Sequence, residues 1–195
     1  MQLNIYKISH PIIKILSTSI LNGTKNSYIY ENHYRYLGFL LLYEILRKYI
    51  NIQEVYVKLL YSVKYFDVIN SKSKYLILTD LSKTYQMIID IKNLIPNLNI
   101  VNVNYDNPEN IVNSINNVKI EYWNTDIFII EEKTTDKKII KLIEYLEIQK
   151  NIPLEKINIC SISSNNYILN KLGNQYPKLK VYTTKIIYNN KNLNN

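Results

Sequence analysis

The sequence predicts an α/β protein with a central, mostly parallel sheet, flanking helices and a pair of N-terminal helices. Short apolar runs alternate with helical patterns of about a dozen residues from Tyr75 to Ile187, and this alternation is typical of βαβ units. The composition is 47% hydrophobic and 21% charged, which supplies a sizeable core and excludes a disordered chain. A length of 195 residues suits one domain, predicted over residues 1–188, with a polar tail at 189–195.

Two helices are predicted first. Ser9 can cap an amphipathic helix with Pro11 in its first turn, and the apolar spacing continues to Ile20. A longer helix is predicted from Asn26 to Tyr49. Two strands follow at residues 54–60 and 63–68, separated by a weak turn.

The remaining elements alternate along the chain. Strands are predicted at residues 75–79, 99–103, 126–130, 157–162 and 179–187, with helices at 82–95, 135–149 and 164–176 and a short helix or turn at 108–116. Parallel sheets bind ligands beyond the carboxyl ends of their strands. Two strand-to-helix junctions, residues 79–84 and 131–138, are therefore the candidate sites.

The residue usage indicates an AT-rich genome. The chain has no alanine, three glycines and two arginines, whereas isoleucine, asparagine, lysine and tyrosine make up over half of it. This bias and the absence of a targeting pattern predict an algal plastid gene product acting in the chloroplast stroma, with the cytoplasm of a parasite as the alternative. The net charge of +8 comes from scattered lysines rather than an arginine-rich patch, which argues against nucleic-acid binding.

The single cysteine, Cys160, excludes an intramolecular disulfide and a cysteine-based zinc site, and its apolar run predicts a small buried side chain in a reducing compartment. No run of 18 apolar residues predicts a membrane span. His10 and His33 lie away from both junctions and are interpreted as cap or helix-surface residues.

Five ordered segments resemble the uracil phosphoribosyltransferase family. They are His-Pro-Ile-Ile-Lys within residues 8–14, Leu-Leu-Leu-Tyr-Glu at 40–44, the strand, loop and helix of 76–87 followed by Ile-Pro at 95–96, Phe-Ile-Ile-Glu-Glu at 128–132, and Leu-Lys-Val-Tyr-Thr at 179–183. The resemblance implies a type I phosphoribosyltransferase fold. It also implies a glycosyltransferase of pyrimidine salvage, which joins uracil to phosphoribosyl pyrophosphate with Mg2+ and releases UMP and pyrophosphate. Because that family forms dimers, and the N-terminal helices are rich in tyrosine, a homo-oligomer is expected.

The resemblance places the sugar-phosphate loop at residues 131–138. The family has an acidic residue followed by a glycine-rich turn there, because a phosphate needs converging N–H groups and a backbone without Cβ atoms. The candidate binding residues of this chain are Glu131, Glu132, Thr134, Thr135, Asp136, Lys137 and Lys138, and no glycine remains among them. Glu131 could hold the ribose and the threonines and lysines the phosphate, whereas Asp136 would repel it. No metal ligand set is predicted; Glu131 and Glu132 form either a metal-binding pair or a solvated strand end.

The two other binding motifs are also altered. At the pyrophosphate loop the candidates are Ser82, Lys83 and Thr84, and Ser82 stands where the family has arginine. The family's glycine-rich uracil segment has no counterpart after Ile187. These losses predict weak or absent transferase activity. Two hypotheses remain open, a salvage enzyme with an altered loop and a catalytically lapsed binding or assembly protein of the same fold.

Overall fold

The computed structural model describes residues 3–23, 28–95, 97–103, 113–116, 121, 124–134 and 138–188. The strands are β1 (Asn4–Lys7), β2 (Ile52–Lys58), β3 (Val63–Ile69), β4 (Lys74–Thr79), β5 (Leu98–Asn102), β6 (Thr125–Thr134), β7 (Ile157–Asn165) and β8 (Lys180–Ile187). The helices are α1 (Pro11–Asn22), α2 (Tyr28–Leu46), α3 (Leu81–Leu94), α4 (Lys138–Glu144) and α5 (Asn166–Gln175). A π-helical turn continues α4 over Tyr145–Gln149, and a 3-10 turn, Leu154–Lys156, precedes β7.

Six strands form one sheet in the order β1-β8-β7-β6-β4-β5, and every neighbouring pair in it is parallel. Phe128, Ile129 and Ile130 lie in β6, between β7 and β4, which confirms the predicted central strand and α/β class. The remaining strands, β2 and β3, form a separate antiparallel ribbon.

The sheet has an apolar cluster on each face. Along β6, Ile127 and Ile129 belong to one cluster, and Phe128 and Ile130 to the other, because alternate residues of a strand point to opposite faces. Helices α1, α2 and α3 supply the second cluster, and α4 and α5 the first. The two-sided burial explains why the central strands are nearly continuous apolar runs.

The two histidines lie on the N-terminal helices, where one caps α1 and the other contacts α1 from α2. His10, rather than the expected Ser9, caps α1, since its Nδ1 accepts a hydrogen bond from the Ile12 amide at 3.3 Å. His33 on α2 lies 2.9 Å from the Ser19 hydroxyl on α1. The cap and helix-surface interpretation of these histidines therefore holds.

One strand and several element boundaries differ from the sequence-based expectations. Strand β1 was not predicted; it lies at the sheet edge, with all four residues exposed, and pairs with β8 through its main chain. Strands β6 and β7 continue to Thr134 and Asn165, past their apolar runs, because each supplies the other's main-chain partners. The helix predicted from residue 135 is described only from Lys138.

Pro96, residues 108–112 and the predicted tail at 189–195 lie outside the described residues, while 113–116 are helical. Among the described helices, none combines the length and the apolarity that crossing a membrane requires.

Cys160 is completely buried on β7, as predicted. Burial raises the pKa of its thiol above the ordinary value, because the thiolate loses hydration. We therefore expect Cys160 in the native protein to resist a disulfide reagent at pH 8 and to react fully in denaturant. Raising the pH further should withdraw stability, since the unfolded chain then loses the thiol proton before the folded one. Rapid native labelling at the unfolded rate would contradict this placement.

Candidate functional site

At the junction after β4, side-chain oxygens accept hydrogen bonds from the first main-chain amides of α3. Asp80 caps α3, and its carboxylate accepts a hydrogen bond from the Ser82 amide at 3.1 Å. It also accepts one from the Ser82 hydroxyl at 2.5 Å and pairs with Lys83 at 2.9 Å. The Leu81 amide donates to the side-chain oxygen of Asn102 at 2.9 Å. Two main-chain donors at this helix start are thus already used.

A negative charge occupies this junction at neutral pH. Partial burial acts to raise the pKa of Asp80, but hydrogen bonds from Ser82 and Lys83 outweigh it and hold that pKa below its ordinary value. An anion at a helix start stabilises the helix, so Asp80 takes the role that a bound phosphate could have. The candidates Ser82 and Lys83 accordingly both contact the Asp80 carboxylate.

Thr84, the third pyrophosphate-loop candidate, is buried. Its hydroxyl lies 2.7 Å from that of Thr79 and donates to the Asp80 carbonyl at 2.9 Å. The Thr79 hydroxyl in turn donates to the Ile130 carbonyl at 2.6 Å. This network ties the start of α3 to β4 and β6, so Thr84 has a structural role.

The sugar-phosphate candidates are distributed along the extended end of β6. Glu131, Glu132 and Thr134 belong to the strand, Lys138 begins α4, and Thr135, Asp136 and Lys137 lie outside the described residues. Adjacent residues of a strand point to opposite faces, so Glu131 and Glu132 do not converge on one cation. Within the described chain there is no group of three metal-ligating side chains.

Glu132 faces the N-terminal helices. Tyr34 on α2 is mostly buried, and burial, together with the Glu132 charge, raises the pKa of its hydroxyl well above the ordinary value. That hydroxyl donates to the Lys83 carbonyl at 2.9 Å, so α2 contacts the α3 junction as well. Lys133 lies 3.8 Å from Glu132. The acidic pair thus contributes one carboxylate to a tyrosine-lined region beneath α2.

A row of buried hydroxyls at the carboxyl edge of the sheet was not predicted. Ser161 on β7 contacts Ser164 at 2.8 Å, and Thr184 on β8 donates to the Ile162 carbonyl at 2.6 Å. The buried hydroxyls of Thr134 and Ser163 have no hydrogen-bond partner among the described residues. The sequence signal was the Ser-Ile-Ser-Ser-Asn run that ends β7. These groups can hydrogen-bond a neutral ligand, but they carry no positive charge.

No protein-family model matches this sequence. It is 28% identical over 186 residues to a protein of the red alga Pyropia yezoensis named "Uracil phosphoribosyltransferase homolog", covering 95% of this chain and 89% of that one. A protein of the same name from Porphyra purpurea is also 28% identical, over 188 residues, with the same coverages. The structure of the AQ2163 protein from Aquifex aeolicus superimposes with a TM-score of 0.67 over 94% of this chain and 88% of that one, at 14% identity.

The parallel sheet, its order and its helical layers define an α/β protein, and this fold is consistent with the phosphoribosyltransferase-like class. Within that class the two red-algal relatives confirm the resemblance read from the five ordered segments. The chain is thus similar over almost its whole length to two proteins named as uracil phosphoribosyltransferase homologues, which supports a divergent relationship to that family.

Proposed function

We propose that this chain is a uracil phosphoribosyltransferase homologue in which transfer of phosphoribose to uracil is weak or absent, and which persists as a binding or assembly protein. The observation that carries the proposal is the Asp80 carboxylate at the start of α3. By resemblance, this is where the pyrophosphate of the substrate would sit.

Charge and geometry both oppose the substrate there. Pyrophosphate requires several converging N–H donors, and the Ser82 and Leu81 amides already have carboxylate and amide acceptors. A polyphosphate next to the ionised Asp80 is repelled; two unit charges 4 Å apart repel by about 4 kcal/mol at an effective dielectric constant of 20, and the pairing of Asp80 with Lys83 offsets part of this. With Ser82 in place of arginine, no bidentate cation offsets this repulsion.

The direct test is the conversion of labelled uracil to UMP with millimolar phosphoribosyl pyrophosphate and Mg2+. We expect no turnover above the uncatalysed rate, and no thermal stabilisation by phosphoribosyl pyrophosphate, although a ligand at one hundred times its Kd would stabilise by about 2.7 kcal/mol. Asp80→Asn keeps a helix cap while removing the charge. If the charge of Asp80 is what excludes phosphoribosyl pyrophosphate, this variant should bind it at least tenfold more tightly than the natural chain.

Turnover by the natural protein that disappears in a Thr135→Val, Lys137→Ala double variant would contradict the proposal. It would establish the second candidate function, a salvage enzyme with an altered loop. The observation that favours this alternative is the buried Thr134 hydroxyl at the carboxyl edge, which has no hydrogen-bond partner among the described residues and directly precedes the rest of the candidate loop in sequence. In such an enzyme Glu131 would hold the ribose, the loop threonines and Lys137 the phosphate, and Mg2+ would arrive with the substrate.

We further propose that the protein acts in a plastid. The composition indicates an AT-rich genome, and both relatives come from red algae. Finding the gene on a nuclear chromosome would contradict this location.

A further inference from the structure

Strand β1 leaves one edge of the six-stranded sheet uncovered. It is the outermost strand and pairs only with β8. The Ile8 amide donates to the Thr183 carbonyl at 2.9 Å. Because main-chain groups alternate in direction along a strand, those of Ile5 and Lys7 point away from β8. No other strand of the described chain lies beside them. A free edge of this kind can accept an extended segment as a further strand.

Positive charge is concentrated beside this edge, in an open cavity of about 520 Å³ that we call the basic groove. Its charged lining consists of Lys7, Arg47, Lys48 and a single carboxylate, Glu44. Arg47 pairs with Glu44 at 3.1 Å. Neither lysine has an acidic partner in the described part of the chain. Three cations and one carboxylate thus leave the groove with two uncompensated positive charges.

Two tyrosine rings hold Lys48 next to the edge. Its Nζ atom lies 4.5 Å from the centre of the Tyr6 ring and 5.2 Å from that of Tyr182, and the two rings stack with centroids 4.9 Å apart. The face of a ring attracts an ammonium group without accepting its N–H donors as a carboxylate does. Lys48 is exposed, so it is positioned beside β1 with donors available for a carboxylate.

We propose that β1 and the basic groove bind an acidic, extended segment of a partner protein, which adds to the sheet as a further strand. Its main chain pairs with Ile5 and Lys7, and its carboxylates supply the partners that Lys7 and Lys48 lack. Side chains on one face of a strand are about 7 Å apart, so aspartate or glutamate at alternate positions places several carboxylates along the groove. The inference rests on the proposed role as a binding protein, and it requires no conversion of uracil.

A peptide matches this edge better than a nucleic acid does. The free edge offers N–H donors and carbonyl acceptors at the spacing of a strand. Another main chain complements both, whereas a phosphate backbone has acceptors only. Arginine is the residue that binds phosphate in bidentate fashion, and Arg47, the one arginine that lines the groove in the described chain, is already paired with Glu44.

The test is fluorescence anisotropy with a labelled octapeptide of alternating glutamate and valine at physiological salt. We expect the natural chain to bind it with a micromolar Kd. The same peptide with every main-chain nitrogen methylated keeps its carboxylates but has no main-chain donor. It should bind at least about tenfold more weakly, because strand addition depends on main-chain hydrogen bonds.

Two variants of the protein separate the two parts of the contact. Lys7→Glu with Lys48→Glu should weaken binding at least about a hundredfold, since attraction becomes repulsion. Ile5→Pro removes one outward main-chain donor and leaves the donors to β8 in place, so it should weaken binding at least about fivefold, the effect of one hydrogen bond. Lys72→Glu with Lys141→Glu is the matched control. It changes the net charge equally at two exposed lysines outside the groove, and it should bind like the natural chain.

A natural chain that does not bind the acidic peptide overturns the proposal. So does binding that survives the reversal of Lys7 and Lys48, or a methylated peptide that binds as tightly as its parent. Tighter binding of a single-stranded DNA octamer than of the peptide would assign the groove to nucleic acid instead. The comparison of the two peptides uses only the natural chain, so it decides the question even if a variant unfolds. The assay contains no uracil, so turnover that contradicts the proposed function leaves this result unaffected.

Discussion

Replacing Gly38 by alanine should destabilise the protein by about 2 kcal/mol or more, which lowers the midpoint of thermal unfolding by at least roughly 4 °C for a domain of this size. A Cβ atom on Gly38 would lie 2.3 Å from Cα of Met87 and 2.6 Å from its carbonyl oxygen. These are main-chain atoms of α3, so no side-chain rotation relieves the overlap. Non-bonded carbons need about 3.5 Å, and α2 would have to move away from α3.

The change in stability caused by Gly38→Ala is the sum of two contributions of opposite sign, helix propensity and overpacking. Alanine is favoured over glycine in a helix by about 1 kcal/mol. Overpacking of a well-filled core costs about 1–3 kcal/mol and occasionally more, and here it separates two helices along their contact. The clash therefore outweighs the gain in helix propensity.

Gly173→Ala is the matched control. The nearest atom to a Cβ there is the side-chain Cβ of Leu3, at 3.3 Å, which can shift by a few tenths of an ångström. We expect this change to stay within about 1 kcal/mol of the natural chain, because the helix propensity gain offsets the crowding. Thermal unfolding followed by circular dichroism measures both variants. Equal midpoints for the two would show that α2 and α3 do not pack as described.

Phe128→Ala should cost about 3–5 kcal/mol, the range for deleting a buried aromatic side chain. Phe128 is completely buried in β6 and meets the Tyr49 ring edge-on, with centroids 5.1 Å apart. The Tyr49 hydroxyl donates to Asn158 at 2.6 Å and lies 2.8 Å from that of Tyr182. Loss of the phenyl ring would therefore leave a cavity next to a buried polar group that depends on the position of Tyr49.

Phe128→Leu tests whether the lost volume is the cause. Leucine refills most of the cavity, and substitutions that nearly conserve volume usually cost less than about 1.5 kcal/mol. Urea unfolding should rank the natural chain, the leucine variant and the alanine variant in that order, with unchanged m-values. An alanine variant as stable as the leucine variant would contradict the central position of β6.

The pattern of apolar residues within each segment was sufficient to predict most of the helices and strands. The apolar runs around Ile77, Phe128 and Ile159 predicted buried strands, and the spacing in α3 predicted a helix that ends near Leu94. Both signals are periodicities within one segment, and burial on one or two faces imposes them directly on the sequence.

The candidate site was less predictable because its geometry depends on partners distant in sequence. Ser82 and Lys83 were correctly located at a helix start, but only the fold shows that Asp80 and Asn102 hold the surrounding donors. Thr84 was a binding candidate by position and proves to be a buried link to Thr79. The Ser-Ile-Ser-Ser-Asn run that ends β7 supplies buried hydroxyls, but in sequence such a run is no different from a polar loop.

The sequence by itself therefore determined the class of the protein and its buried strands and helices, because those depend on side-chain periodicity within each element. Tertiary structure decided the existence of β1, the continuation of β6 to Thr134 and the isolation of the ribbon. A strand without an apolar pattern is formed by the main-chain hydrogen bonds that a neighbouring strand offers, and Asn4–Lys7 finds that neighbour in β8 some 175 residues later. Likewise, the two acidic residues Glu54 and Asp67 become neighbours only because the register of the ribbon places them opposite each other.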